Sequence, residues 1–341
     1  MSEAIQKFIF VLKNKKLLIF KVFLTYLLSL IIFSMLMFPF SYLSSYLTTA
    51  VAKATGNQVF LKSKDIHLSL IPAFGVELEN VELETVQLPK MEAKRIIISP
   101  SLISLITDLP KMQNPQPGAM PVIPDVSLKL YDFLGSDTEA QVNKTDGKQR
   151  IVIKSKNLEL KQLSSLDLLP IRLIGELNLN LNSLVDPSFK QQPEGDIEIS
   201  IAKLTIPSTN IAIPNLGSIP LPKLSISDVR IKGRISDGRL IIEQAKMGKP
   251  NEKLNLELIG QLTMSLVPSA RGPRMNWGAY SLQTVFNIDS KLANDLLLEA
   301  VLGKHKVKET NQKMTFGIRM TGRSFRSPPT TRDKIDSLPK R

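Results

Sequence analysis

Few side chains of this 341-residue sequence could support acid–base, nucleophilic or metal chemistry. There are two histidines, His67 and His305, and no cysteine. Zinc sites are usually built from Cys and His, so two histidines far apart in sequence give weak grounds for one. Asp65, His67 and Ser69 share one face of a predicted strand, but that spacing fixes no distances between them. We interpret His67 as a surface residue of a strand and His305, within GKHKVK, as a solvated side chain.

Four glutamates form the other candidate group, in the segment VELENVELET at residues 76–85. They are Glu77, Glu79, Glu82 and Glu84, and they alternate with Val and Leu. We predict them on the solvated face of a β-hairpin, because their spacing is not that of an EF-hand calcium loop. The sequence also lacks a Walker loop, a dinucleotide fingerprint and a G-x-S-x-G motif. These patterns predict a protein that is not an enzyme, with no catalytic residue, no metal site and no cofactor.

The N-terminus carries a pattern typical of a membrane anchor. Five lysines and one glutamate lie in residues 1–21, and residues 22–40 follow without a charge. Nineteen helical residues span about 29 Å, close to the hydrocarbon thickness of a bilayer. The lysines predict a cytoplasmic N-terminus and export of the rest of the chain to the periplasm. We predict a retained single-pass inner-membrane helix at 22–40 that can continue to about 54. The alternative, a cleaved signal, would use Ala50-Val51-Ala52, which is far from the apolar stretch.

The net charge of +13 is concentrated at the two ends of the chain. Residues 1–21 contribute +4 and residues 301–341, with eleven basic and three acidic side chains, contribute +8, which leaves +1 for residues 22–300. A nucleic-acid-binding domain would show a basic folded face with aromatic residues, and only 6% of this chain is aromatic. The distribution therefore argues against nucleic acid as a partner.

Alternation of apolar and polar residues dominates the chain from Val59 onward. Leu177, Leu179 and Leu181 alternate with asparagines, and similar runs recur around 151–160, 197–201, 224–226, 254–258 and 314–320. A period of two with one apolar face is typical of antiparallel strands. We therefore predict a mainly β protein with a curled antiparallel sheet, open as a groove or partly closed as a barrel. Short helices are expected only at 100–108, capped by Ser99, and at 290–302, ended by Gly303.

Prolines suggest where the β-rich part divides. Five prolines between 110 and 124 predict a linker at 111–124, which would separate a β segment at 55–110 from a β domain at 125–326. Residues 207–222 are interpreted as a second Pro-containing connection between strands. Residues 327–341 are basic and poor in apolar side chains, and they are predicted to be a disordered tail.

Four glycines recur within or beside alternating runs. They are Gly175, Gly233, Gly260 and Gly322. A glycine inside a strand often marks a bulge or bend, and repeated bends would curl the sheet. We name these four as structural residues; the alternative is that their positions are incidental.

Several segments together resemble known envelope proteins. The stretches TGNQVFLKSKDIHLSLIPAFGVELENVELE and MEAKRIIISPSLISLI resemble the opening of the AsmA-like proteins. LPKLSISDVRIKGRISDGRLIIEQAKMGKPNEKLNLELIGQLTMSL, and the closing FGIRMTGRSFRSP, resemble the type II secretion system N proteins. The resemblance covers about two thirds of residues 55–328 and rests on the order of strand-and-turn motifs, since no single motif is specific.

This resemblance implies a bitopic inner-membrane protein with a β-rich periplasmic domain. Its implied role is that of an accessory structural part of the type II protein secretion machinery. The implied partners are other secretion proteins, either the inner-membrane platform or the outer-membrane secretin, and strand addition is one way to contact them. The AsmA-like branch implies an alternative role, lipid binding or lipid transfer along an apolar groove. The family supplies no catalytic residues to carry over.

Overall fold

The computed structural model describes residues 20–30, 59–69, 74–85, 90–101, 125–165, 172–187, 190–213, 217–267, 274–324 and 330–339, with single residues between some of these stretches. The chain divides into two compact units, residues 1–43 and 44–341. In the first unit, residues 20–30 are helical and their large apolar side chains are exposed. Across the described residues, no helix is both long and apolar enough to cross a membrane. Most of the predicted span after residue 30, and all of residues 1–19, lie outside the described residues.

The second unit is built mainly from strands, and strands account for 66% of the residues that the structure describes. They are β1 (Val59–Lys62), β2 (Asp65–Ser69), β3 (Gly75–Thr85), β4 (Met91–Pro100), β5 (Val126–Phe133), β6 (Ser136–Thr145), β7 (Lys148–Glu159), β8 (Ile174–Val185), β9 (Glu194–Ile206), β10 (Thr209–Ile213), β11 (Gly217–Leu221), β12 (Leu224–Ser236), β13 (Arg239–Met247), β14 (Leu254–Val267), β15 (Arg274–Asp289), β16 (Lys306–Glu309), β17 (Lys313–Gly322) and β18 (Thr330–Lys334). The prediction of a mainly β, antiparallel protein is confirmed.

Sixteen of these strands form one open antiparallel sheet. Its order is β1-β3-β4-β5-β6-β7-β8-β9-β12-β13-β14-β15-β17-β16, with β2 also paired to β3 and β18 to β17. Neighbours in sequence are mostly neighbours in the sheet because tight turns join them. Asp146-Gly147 and Asp237-Gly238 are the central pairs of two such turns. Both residues of each pair have positive φ, as a type I′ hairpin turn requires. The segment 207–222, expected to be a connection, contains β10 and β11, which form a separate hairpin.

The division of the β-rich part at the proline segment is not what the structure shows. Strand β4 pairs with β5 from Arg95↔Tyr131 to Pro100↔Val126. The segments before and after 111–124 therefore belong to one sheet and one compact unit. Prolines exclude ladder pairing within their own segment, but they do not prevent the flanking strands from pairing with each other. The predicted linker itself lies outside the described residues.

Several strands change phase at a residue in the left-handed conformation. Asn80, Asn157 and Lys203 have φ of 50°, 58° and 53° within β3, β7 and β9. On either side of Asn80, Leu78 and Val81 are both buried, three positions apart instead of two or four. Asn157 and Lys203 lie at register shifts of the ladder, so each inserts one extra position and the side chains before and after it stay on one face. At Asn80 the pairing of β3 with β4 stays in register, and the buried Ala93 and Ile96 of β4, opposite Val81 and Leu78, show the same spacing of three. This corrects the hairpin predicted at 76–85, because that segment is the single strand β3 with a phase change at Asn80.

Three short helices whose full ranges are described lie on the sheet. They are α1 (Leu160–Ser165), α2 (Ser290–Asp295) and α3 (Leu298–Leu302), and a 3₁₀ turn follows at Gly303–His305. The helix predicted at 290–302 is therefore broken, at Leu297 with φ 51°, and Gly303 is helical instead of a left-handed cap. Asp289 caps α2, since its Oδ1 accepts hydrogen bonds from the N–H groups of Lys291 and Leu292 at 3.1 and 3.2 Å. α1 had no sequence prediction.

Two further predictions from the sequence need correction. Ser99 and Pro100 lie in β4 instead of starting a helix, and the described helical residues of that region, 103, 104 and 107, follow Ser101. Residues 330–334 form β18 although the tail was predicted to be disordered. Low hydrophobicity does not prevent a segment from adding to an open sheet edge, because the ladder is formed by backbone groups.

The buried core lies where helices cover the apolar face. One cluster joins Leu221 and Leu224 to Ile288, Leu292, Ala293, Met314 and Phe316 beneath α2. A second joins Leu160, at the start of α1, to Leu204, Ile226 and Val229. Leu254 packs against both clusters, so they form one continuous region.

Candidate functional site

A row of small and apolar residues crosses the sheet on one face. Following the register from strand to strand, it contains Ile98, Leu128, Ala140, Ile153, Leu181, Ile197, Gly233, Ile242, Gly260, Leu282 and Met320. We call this row the apolar stripe. It has one residue from each of the eleven strands from β4 to β17 along the sheet order. At about 4.8 Å between strands, it is about 50 Å long.

The apolar stripe is only half-buried along most of its length. Every member except Gly233 has intermediate exposure, whereas Phe316 and Leu78, in neighbouring rows, are fully buried. The helices cover other parts of the same face, and the described residues provide no comparable cover over the stripe. A long apolar row that remains in contact with water is typical of a surface that binds something.

The opposite face is polar and pairs its own charges. The row next to the stripe on that side contains Lys129, Glu139, Lys154, Asn180, Glu198, Lys232 and Gln244. Lys129 lies 3.4 Å from Glu139, and Lys232 lies 3.1 Å from Glu198. A surface cavity of about 590 Å³ is lined mainly by residues of this face. Exposed pairs of this kind contribute little to stability, so their main effect is to keep this face solvated.

Hydroxyl groups interrupt the apolar face at one point. Ser136, Thr138 and Ser155 are all buried, and their oxygens hydrogen-bond to one another at 2.9 to 3.5 Å. Ser136 also donates to the carbonyl of Phe133 at 3.2 Å. Because the three hydroxyls satisfy one another, this cluster holds β6 to β7 without an unpaired polar group.

Three of the four glycines named from the sequence lie at irregular points of the ladder. Gly233 follows a register shift between β12 and β13, Gly175 lies at one between β8 and β9, and Gly260 pairs with Ile242 at the edge of a third. A Cβ at Gly260 would lie 2.4 Å from the Ser281 carbonyl oxygen, and one at Gly175 would lie 3.0 Å from that of Ala202. The space over these glycines is thus occupied by neighbouring strands.

Gly322 is held by a different contact. It pairs with Tyr280 at the end of β17, in a regular part of the ladder. A Cβ there would lie 2.3 Å from the Tyr280 ring. This glycine therefore accommodates an aromatic side chain of the next strand, and no register shift accompanies it.

The residues considered for catalysis are not assembled into a site. His67 and Asp65 are exposed on β2, whereas Ser69, on the same strand, is buried. His305 is buried, not solvated as the sequence suggested, because the 3₁₀ turn that carries it packs against β17 and β18. Within the described residues, no group of three or more His, Asp or Glu could hold a metal ion.

Three of the four glutamates of β3 form ion pairs. Glu77 lies 3.3 Å from Arg95, Glu82 lies 2.7 Å from Lys90, and Glu84 lies 3.1 Å from Lys62. The hydrogen bond from Lys90 lowers the pKa of the Glu82 carboxyl. Because each of these three carboxylates is paired with a lysine or an arginine and not with another carboxylate, they do not form a proton-transfer pair.

Comparison with known protein families, curated protein sequences and solved structures finds no match for this chain.

The apolar stripe itself was only partly visible in the sequence. The alternation indicated which residues of each strand share a face, and Leu181 and Ile197 were among them. The order of the strands, and hence which apolar residues lie side by side, follows from pairing across the whole sheet. The signal that could have helped is the spacing of three between apolar residues around Asn80 and Lys203, at Leu78 and Val81 and at Ile201 and Leu204.

Proposed function

We propose that this protein is a non-enzymatic, accessory structural component of the type II protein secretion machinery that contacts a partner protein through the apolar stripe. In this proposal the N-terminal helix anchors it in the inner membrane, and the β unit lies in the periplasm. The observation that carries the proposal is the half-buried apolar stripe, about 50 Å long, on an open sheet. The sequence resemblance to the type II secretion N proteins is the reason for proposing another secretion protein as the partner.

The edge strands of the sheet are short, which favours contact through the apolar stripe over contact by strand addition. One outer edge is formed by β1 and β2, of 4 and 5 residues, and the other by β16 and β18, of 4 and 5 residues. Short edge strands offer few unpaired backbone groups to an incoming strand. The apolar stripe crosses eleven strands and is the larger surface.

The membrane placement rests on the sequence and on one structural feature. The lysines of residues 1–21 precede the uncharged stretch 22–40. Residues 20–30 are helical, and Phe20, Phe23 and Tyr26 are more than half exposed. A helix that exposes such side chains on all sides is suited to lipid. A reporter enzyme that works only in the periplasm, fused after Arg341, should be active; activity only of a cytoplasmic reporter would contradict this topology.

The second candidate function is binding or transfer of lipid along the same surface. It is favoured by the continuity of the apolar stripe, which no charged side chain interrupts from Ile98 to Met320. An acyl chain laid along the stripe would remove apolar surface from water on both sides, at about 0.8 kcal/mol per buried CH₂ group. An AsmA-like groove would use the face in this way.

One experiment separates the two functions. A photo-crosslinking phenylalanine analogue is placed at Leu181, on the apolar stripe, and in a second variant at Asn180, the preceding residue, on the polar face. After irradiation of living cells, adducts are identified by mass spectrometry. Crosslinks from position 181 to a secretion protein support the leading proposal, and crosslinks to phospholipid support the second.

The control at position 180 tests the surface itself. Positions 180 and 181 are adjacent on β8 but lie on opposite faces of the sheet. A partner that binds the apolar stripe should therefore give many adducts at 181 and few at 180. Equal adducts at both positions would contradict both functions, because neither would then depend on the apolar stripe. Loss of protein secretion on deletion of the gene, with normal lipid export, is the independent check of the leading proposal.

A further inference from the structure

The outer edge of β17 is shared by two short strands. One edge of β17 pairs with β15 along its whole length. On the other edge, β16 pairs with residues 314–316 and β18 pairs with residues 318–321. Without β18, this second half of the β17 edge would present unpaired backbone N–H and C=O groups, which are a template for another strand.

Strand β18 is held mainly by its backbone. The four side chains of β18 that the structure describes, two threonines, an aspartate and a lysine, are all exposed. Its register with β17 is irregular between Ile318 and Met320, and the ion pair between Arg319 and Asp333 is 3.7 Å long. Because β18 buries little apolar surface of its own, the hydrophobic effect opposes its release only weakly.

The edge of β17 is nevertheless shaped for this segment. The N–H of Ile335, directly after β18, donates to the carbonyl of Gly317 at 3.2 Å. The Ile335 carbonyl oxygen occupies the place that a Cβ at Gly317 would need. The glycine therefore allows the chain after β18 to come close to β17. A strand of the same sequence from another molecule would fit this edge equally well.

Two buried nitrogen atoms beside β18 have no hydrogen-bond partner among the described residues. They are Nε of Arg319, whose guanidinium faces Asp333, and Nδ1 of His305. His305 is 8% exposed, and its 3₁₀ turn packs against both β17 and β18. A buried polar atom without a partner costs free energy. The single chain thus leaves the polar groups at this edge incompletely satisfied.

We propose that β18 is exchanged between two copies of this chain, so that the β17 edge of each copy is completed by the β18 strand of the other. The strand contacts are the same in the closed and the exchanged forms, so exchange sacrifices no strand pairing. It also keeps both β17 edges covered. The second chain brings further backbone donors and acceptors to the edge that holds Arg319 and His305. The proposal does not depend on the proposed function.

The absence of cysteine from the sequence allows a direct test by disulfide formation. Thr321 of β17 and Thr330 of β18 are register partners, and facing Cα atoms of antiparallel strands lie about 4.5–5.5 Å apart, which suits a disulfide. Two full-length variants, T321C and T330C, carry different affinity tags and are expressed in the same cells. After oxidation, an exchanged β18 gives a disulfide between the two tagged chains, which mass spectrometry identifies.

The matched control is the pair of variants T145C and K148C, whose positions face each other across the turn between β6 and β7. Two strands joined by a two-residue turn cannot exchange one strand alone. The T321C and T330C mixture should give at least about tenfold more interchain disulfide than this control, because pairing of an exchanged strand holds the two thiols at a high effective concentration.

A double variant, T321C/T330C in one chain, tests the opposite outcome. Its disulfide shows that β17 and β18 are folded in register. If this variant forms only an intrachain disulfide, and the mixed single variants give no more interchain product than the control, β18 stays in its own chain and the proposal is overturned.

Release of β18 is tested by the rate of exchange. Purified T321C and T330C proteins are mixed, and samples are oxidised at successive times. D333N in the T330C chain removes the ion pair with Arg319 and should speed interchain disulfide formation about two- to threefold, because this contact is lost only while the strand is released. K334Q, at an exposed residue of the same strand, should leave the rate unchanged. Equal rates in D333N and K334Q would overturn the proposal, because exchange must pass through a released β18.

Discussion

Two parts of the same apolar face differ in how they are covered. Beneath α2, Phe316, Ile288 and Met314 have exposed fractions of 0%, 2% and 3%. Along the apolar stripe, Leu181 and Ile197 remain half-buried. Both parts arise from the same alternation of apolar and polar residues, so the alternation specifies a face and the helices decide which part of it becomes core.

The difference separates two roles for similar side chains. Under α2 an apolar residue stabilises the fold, because the sheet and the helix together remove it from water. On the stripe, a side chain of the same type packs only against neighbouring side chains of the sheet, and part of its surface remains available to a partner. Substitutions in the two parts should therefore have different effects on stability.

The largest effect is expected for Phe316→Ala. The Phe316 ring is fully buried and stacks on Phe286 with ring centroids 5.2 Å apart. Its loss should lower the free energy of unfolding by about 3–5 kcal/mol. The urea midpoint of the purified protein, at unchanged m-value, measures this. A loss below about 1 kcal/mol would show that α2 does not seal this part of the face.

Gly260→Ala should have the next largest effect. The new Cβ would meet the Ser281 carbonyl oxygen and the Cα of Leu282, at 2.4 and 2.9 Å, so the backbone must shift. We expect a loss of about 1–3 kcal/mol, with smaller losses at Gly175 and Gly233, where the nearest atoms lie at 3.0 and 3.1 Å.

The control for this prediction is Gly303→Ala. Gly303 has helical dihedral angles, and its nearest neighbour is Glu299 Cγ at 3.9 Å. Alanine there should be neutral or stabilise by up to about 1 kcal/mol, because it restricts the unfolded chain. If Gly260 and Gly303 responded alike, the close approach of β15 at Gly260 would have no energetic consequence.

Leu181→Ala should lower the free energy of unfolding by about 1 kcal/mol. This is well below the loss for a fully buried leucine, because part of the Leu181 side chain is already in water. Asn180→Ala, on the polar face of the same strand, should change the midpoint by less than about 0.5 kcal/mol. A loss at Leu181 as large as that at Phe316 would contradict the idea that the stripe is uncovered.

The smallest effect is expected for Glu252, in the turn between β13 and β14, near the part of the apolar face that the helices cover. Burial raises the pKa of Glu252, but hydrogen bonds from the Ser227 hydroxyl and the N–H groups of Ser227 and Lys249 outweigh it, so the net pKa is lowered. A folded-state pKa below the unfolded value means that Glu252 adds stability above about pH 4.3, which is lost as the pH falls through the folded pKa.

Glu252→Gln should therefore reduce stability slightly at neutral pH and flatten the loss of stability on acidification. Thermal unfolding as a function of pH measures this, with Glu176→Gln, an exposed residue of β8, as the control. If the unfolding temperature of Glu252→Gln fell on acidification as steeply as that of the unsubstituted protein, these hydrogen bonds would not favour the folded state.

Much of the fold could be predicted locally. The alternating runs in β8, β9, β14 and β17 identified strands because a strand with one buried face must repeat every two residues. The changes of phase were missed because they depend on single left-handed residues such as Lys203, which has no strong preference for that conformation. The break in the 290–302 helix was missed for the same reason, since Leu297 is not a helix terminator by composition.

The sequence by itself determined that the protein is mainly β, which side of each strand is apolar, and that its net positive charge is concentrated at the two ends. These properties depend on the order of residue types along the chain. Only the tertiary structure decided that the strands on either side of residues 111–124 form one sheet, that α2 and α3 cover one part of the apolar face, and that the stripe stays half-buried. Those outcomes depend on contacts between distant residues, whose free energies arise only when the strands pair and the helices pack.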